Sequence, residues 1–77
     1  MACPHVKQLR QIRRTIGNNI HTIRTTRKMS LKRLSAETKM STHTLDLFEI
    51  GRGEITLESM NIIARALKTD TQNLIRV

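Results

Sequence analysis

The run from Ser30 to Gly51, SLKRLSAETKMSTHTLDLFEIG, constrains the fold more than any other part of the chain. Leu34 and Thr38 stand one helical turn apart with Ser35 beside them, and Leu45 and Phe48 mark the inner face of a second short helical pattern. One face of each helix is therefore committed to the other. Ser30 and Ser41 suit the two N-cap positions, because a serine hydroxyl takes an orphan amide of the first turn. Gly51 suits the end of the second helix, since glycine tolerates the left-handed cap conformation. Ser35 supplies the small side chain that two steeply crossing helices need where their backbones come closest.

Length limits what can surround this pair. At 77 residues the chain makes one small domain with a core near the lower limit of independent stability, so dimerisation can contribute to holding it folded. Phe48 is the one aromatic residue, and aliphatic and Met side chains must fill the core, which favours packed helices over a sheet. No apolar stretch is long enough to span a bilayer and no signal-peptide core is present, so the expectation is a cytoplasmic protein without a membrane partner. The single cysteine, Cys3, cannot form an internal disulfide.

The formal net charge of +8 is unevenly spread. Residues 1–40 hold ten Lys or Arg against one acid, Glu37, for a net +9, whereas residues 41–77 hold four basic and five acidic side chains, for a net −1. Such asymmetry fits a nucleic-acid partner, although acidic proteins and anionic membranes attract the same charge. The helix-turn-helix pattern beside it points to DNA.

Upstream, Val6, Leu9, Ile12, Ile16, Ile20 and Ile23 recur every three or four residues, as one face of a helix or of two consecutive helices. Pro4 is well placed in a first turn. Gly17, followed by Asn18 and Asn19, is the weak point, because glycine costs about 1 kcal/mol in a helix interior. The pattern thus predicts a basic N-terminal arm over residues 1–14, helical only if something packs against it, and a DNA-binding domain over 15–77 with its motif at 30–51. Within that domain a core helix is expected from Ile16 to Arg27, then helices from Leu31 to Thr38 and Thr42 to Ile50. A loop through Gly51, Arg52 and Gly53 leads to Thr56, which can cap a helix ending near Leu67, and Asp70 can cap a last one through Leu74.

Taken in order, IGNNIHTIR, SLKRLSAETKMS, LDLFEIGRG and TLESMNIIARAL resemble the Cro and lambda-repressor type of helix-turn-helix protein, the Xre family, from Ile16 to Ile75. The resemblance implies an all-α, compact five-helix bundle, here with a basic arm or extra helical turns, whose third helix enters the major groove of double-stranded DNA. It implies that Arg24 pairs with Glu49 and fixes the orientation of that helix. It places Thr42, His43 and Thr44, with Leu47 one turn on, against base edges. Thr can hydrogen-bond a base or offer its methyl to thymine, His43 can donate or accept at a purine edge, and Leu47 can only make apolar contact. None supplies the arginine fork to guanine, so phosphate contacts and DNA shape must contribute. For phosphate, Arg52 is the first candidate, with Ser41 and its neighbouring amides at a helix start, and Arg27, Lys28, Lys32 and Lys39 as further cations. The arm residues Lys7, Arg10, Arg13 and Arg14 suit either minor-groove binding or a helical arm serving dimerisation.

Three departures from the family pattern stand out. Positions 28, 39 and 68, commonly glycine, are lysine; if the left-handed conformation is kept, each costs about 1 kcal/mol, and a cation near a helix C-terminus recovers a few tenths. Leu31 and Leu47 occupy positions often polar, and either pack together or leave an apolar patch that a protein partner could use. Ile62, Ile75 and Val77, with Ile63 and Leu67 beneath, suit a two-fold interface, and small members of the family usually bind as dimers to half-sites about 34 Å apart.

Catalytic chemistry is not in view. Cys3 and His5 are too few for a structural metal site, His21 and His43 read as surface or DNA-contacting residues, and there is no phosphate-binding glycine loop, paired carboxylate set or activated nucleophile. The expectation is a non-enzymatic, cofactor-free, dimeric transcription regulator, a repressor of bacterial, phage or plasmid type. Its rivals are an antitoxin with a toxin partner, a restriction-modification controller, or a protein-interaction module that does not read DNA. An RNA or membrane-surface binder would need stacking aromatics or an amphipathic basic tail.

Overall fold

The computed structural model describes the backbone of residues 4–76 and the side chains of residues 9–76. Of the residues singled out above, Cys3 and Val77, and the side chains of His5, Val6 and Lys7, lie outside this set. Five helices follow in order: α1 Pro4–Thr26, α2 Leu31–Thr38, α3 Thr42–Glu49, α4 Leu57–Ala66 and α5 Thr71–Ile75. Among the described residues there is no strand, and no helix is long and apolar enough to cross a membrane.

All five helices meet around one core. Ile16 and Ile20 enter it from α1, Leu34 from α2, Leu45 and Phe48 from α3, Ile63 and Ala64 from α4, with Leu67 and Leu74 closing the far side. Packing runs α1 against α3 and α5, α2 against α3 and α4, and α4 against α5. Each fully buried Leu or Ile side chain contributes about 1.5–3 kcal/mol, and the partly buried Met29, Met40 and Met60 seal the edges.

Local chemistry accounts for most helix ends. The hydroxyls of Ser30, Ser41 and Thr56 accept from the amides of Arg33, Thr44 and Ser59 at 3.0–3.1 Å, each closing a first turn. Asp70 holds the N-cap position of α5, yet its side chain makes no capping hydrogen bond. At the other ends, α1 and α4 finish in paired bonds, Lys28 N to Thr25 O with Met29 N to Arg24 O, and Lys68 N to Arg65 O with Thr69 N to Ala64 O. This is the Schellman arrangement, which requires a left-handed residue, and Lys28 and Lys68 adopt φ of 56° and 55°. Lys39 ends α2 at φ 60° with the single bond from its amide to Ser35 O. Gly51 ends α3 at φ 77° in the paired arrangement, Gly51 N to Phe48 O with Arg52 N to Leu47 O. The left-handed turn is therefore kept at all three lysines.

Two expectations need correction, both in α1. The helix does not begin at Ile16; it runs unbroken from Pro4 through Gly17 to Thr26. Gly17 is buried beneath the last turn of α3, where an added Cβ would collide with the Phe48 carbonyl oxygen and lie 2.7 Å from that of Glu49. Its missing side chain admits a neighbouring helix rather than loosening its own. The apolar stripe lies only partly in the core: Ile16 and Ile20 are buried, and Leu9 and Ile12 are about half exposed. At ~1.5 Å per residue, 23 residues make a rod of about 34 Å. Its early turns project past the bundle and give the molecule its 43 Å long axis against 22 and 20 Å.

Candidate nucleic-acid interface

α2, the turn through Lys39, Met40 and Ser41, and α3 form the motif that the sequence outlined. Thr38, buried at the end of α2, donates its hydroxyl to Leu34 O at 2.8 Å and accepts from the Met40 amide at 3.3 Å. Ser35 donates to the Met40 carbonyl as well as being small. The turn is thus tied from inside by two side chains, and α3 is held at its start.

α3 turns Leu45 and Phe48 inward and leaves Thr42, His43 and Asp46 exposed. Thr44 and Leu47 are half-buried. Ser41 Oγ accepts from the Thr44 amide and donates to Thr44 Oγ1 at 2.8 Å, so its hydroxyl is spent on the cap, while Thr44 keeps its own proton to donate. A helix is about 10–12 Å across with its side chains, which a major groove about 12 Å wide admits.

The far end of α3 is fixed by charge. Arg24 donates from Nε to Glu49 Oε2 at 2.6 Å and from Nη2 to Oε1 at 3.1 Å, a bidentate pair between side chains only 11% and 6% exposed. The same guanidinium donates from Nη1 to the Met29 carbonyl at 2.8 Å, joining the end of α1 to the pair. His21 Nδ1 lies 2.8 Å from Glu49 Oε1, one helical turn before Arg24 on the surface of α1. From the sequence His21 is a surface or DNA-contacting residue; only its i, i+3 spacing from Arg24 hints that both could reach one carboxylate. Among the described residues, Asp46 is the acid on α3 that has no cation within 4 Å.

The other cations are distributed around this frame. Lys32 on α2, Lys39 just after it and Arg52 after α3 are exposed. Arg27 is exposed too, but its Nη2 donates to the Lys68 carbonyl at 3.2 Å, across to the end of α4. Arg10 and Arg14 are exposed and Arg13 half-buried on the projecting part of α1, facing Arg52. Asn19 was legible only as a helix weakness; its Nδ2 donates to the carbonyls of Leu74 and Arg76 at 2.8 and 2.7 Å, anchoring the chain end to α1.

The Cro/C1-type HTH DNA-binding domain matches residues 19–77, the stretch that holds the capped helix pair and the Arg24–Glu49 lock. The chain belongs to that family. No curated protein and no solved structure matches it. The Cro/C1-type match covers the last eight residues of α1 and all that follows, so the turns from Pro4 to Asn18 lie outside it. Among the described residues, no cluster of three or more His, Cys, Asp or Glu is placed to hold a metal ion.

Proposed function

We propose that this Cro/C1-type protein is a sequence-specific transcription regulator that binds double-stranded DNA as a homodimer and acts as a repressor. The observation that carries the reading is the exposed N-terminal edge of α3, Thr42 and His43, on a helix fixed at its start by Ser41 and at its end by the Arg24–Glu49 pair. Base contacts fall to Thr42, His43, Thr44 and Leu47. Phosphate contacts fall to Arg52, Lys32, Lys39 and Arg27 and to the amides at Ser41. Because α3 carries no Lys or Arg, affinity comes mainly from these flanking cations and selectivity from few hydrogen bonds and DNA shape. A DNA partner supports a cytoplasmic location, associated with a bacterial nucleoid or encoded by a phage or plasmid. Half-exposed Ile75 on α5 and the more covered Ile62 on α4, set over buried Ile63 and Leu67, support pairing of two copies.

A partner docking on Leu31 and Leu47 has little to hold: both are half-buried and Leu31 packs against the core. The antitoxin reading draws instead on half-exposed Leu9 and Ile12, and a protein that co-purifies with the chain and is lost from Leu9→Lys would favour it. Selection of bound sequences from random duplex DNA tests the main reading. A palindromic consensus is expected; tight binding to every duplex with no consensus would overturn it.

A further inference from the structure

The part of α1 outside the family match carries charge that nothing nearby balances. Between Pro4 and Thr26 the helix has five Lys or Arg and no acid. Arg24 is committed to Glu49, but Arg10, Arg13 and Arg14 recur at i, i+3 and i+4 and share another face. That face looks across an open cleft of about 800 Å³ to Ile50, Gly51 and Arg52, the loop that follows α3. The two walls meet at Gly51, where a Cβ would stand 3.0 Å from Arg14 Cγ and 3.1 Å from its Cα. Among the described residues, none of the four arginines has a carboxylate within 4 Å.

Four guanidinium groups around one cleft repel one another unless an anion lies between them, and the planar guanidinium fork matches phosphate oxygens. The cleft has no aromatic side chain on which a base could stack, so its chemistry suits phosphate rather than a nucleobase. We infer that it is a second backbone site, built by α1, that takes phosphodiester oxygens of the duplex beside the groove occupied by α3. This rests on the DNA-binding reading and lengthens its footprint beyond the contacts the family domain makes. The helical form of α1 argues for the backbone over the groove floor: a helix about 10–12 Å across does not fit a minor groove about 6 Å wide. Arg52 belongs to both sites, which ties phosphate binding in the cleft to the seating of α3.

The test is titration of duplex binding against salt for the full chain, on the selected consensus and on a random duplex. The variant Arg10→Gln/Arg13→Gln/Arg14→Gln should lower the slope of log affinity against log salt by about 2 to 3 for each bound protomer, near 0.9 for each lost phosphate, on both duplexes and with the consensus unchanged. The matching Arg→Lys variant should keep the slope, and Arg65→Gln, an exposed change on α4, should leave it alone. If the triple variant loses its circular-dichroism helix signal, Arg10→Gln and Arg14→Gln singly should each lower the slope by about 0.9 for each bound protomer. A folded triple variant with the wild-type slope overturns the site. The same unchanged slope, with inorganic tripolyphosphate binding to the wild type and not to the variant, overturns the duplex assignment in favour of a free polyphosphate. Wild-type protein that binds no duplex overturns the parent reading and this one with it, an outcome distinct from loss of the cleft alone.

Discussion

At Gly17 a single added methyl group would press on the backbone of another helix. The atoms it would meet are carbonyl oxygens of Phe48 and Glu49, which cannot swing aside as a side-chain tip can. Helix propensity alone predicts that Gly17→Ala stabilises by about 1 kcal/mol; overpacking of this kind costs about 1–3 kcal/mol or more. We expect the variant to melt below the wild type, and a higher melting temperature would disprove the close approach. The three left-handed lysines offer the opposite experiment. Replacing Lys28, Lys39 or Lys68 with glycine removes about 1–2 kcal/mol of backbone strain and returns about 0.4–1 kcal/mol through the freer unfolded chain. Each single variant should gain about 0.5–1 kcal/mol in urea unfolding, the balance of those two effects. A loss at all three positions would show that the lysine side chains themselves stabilise the turns.

Among the elements, α3 depends most on its neighbours. It is eight residues long, well below the length at which a helix is stable alone in water, and its position comes from Ser41 at one end and the Arg24–Glu49 pair at the other. Removing Glu49 strands a nearly buried guanidinium, so Glu49→Ala should destabilise by about 3–5 kcal/mol. The Arg24→Ala/Glu49→Ala double variant should lose clearly less than the two single losses added together; strict additivity in thermal melts would refute the coupling. The starts of α2, α3 and α4 were legible in the sequence because a cap is a contact across three residues, visible as Ser30, Ser41 and Thr56. The start of α1 was not. Gly17 has the same local appearance whether it breaks a helix or admits another one, and what decides between them is α3, about thirty residues further on. Asp70 shows the limit from the other side, holding the right position without making the bond.

For the whole molecule, the small core and the exposed apolar residues bear on assembly. Among the described residues, nine buried hydrophobic ones hold the bundle, while Leu9, Ile12, Ile62 and Ile75 face outward. If α4 and α5 form the two-fold contact, the double variant Ile62→Lys/Ile75→Lys should sediment as a monomer at concentrations where the wild type is a dimer, and should bind a palindromic site more weakly than wild type. A wild type that sediments only as a monomer, even with DNA present, would remove the dimer. Leu9 and Ile12 then become the test of the rest: a dimer that survives the α4–α5 variant and fails on Leu9→Lys would move the interface to α1.

What the sequence determined by itself are the properties set within a turn or two of helix: the capped starts of α2 to α4, the glycine end of α3 at position 51, and the inward faces of the motif. The concentration of positive charge before residue 40 was equally plain, and the resemblance named Arg24 and Glu49 as partners. Tertiary structure decided what depends on residues 25 to 57 positions apart. It placed Gly17 under α3, brought His21 to Glu49 and Asn19 to the end of the chain, and let the core stop at Ile16 although the apolar stripe runs on. It also set Arg10, Arg13 and Arg14 opposite Arg52. Periodicity shows which face of a helix is apolar or charged, but not how far along that face a neighbour extends, and the function proposed for α1 turns on that difference.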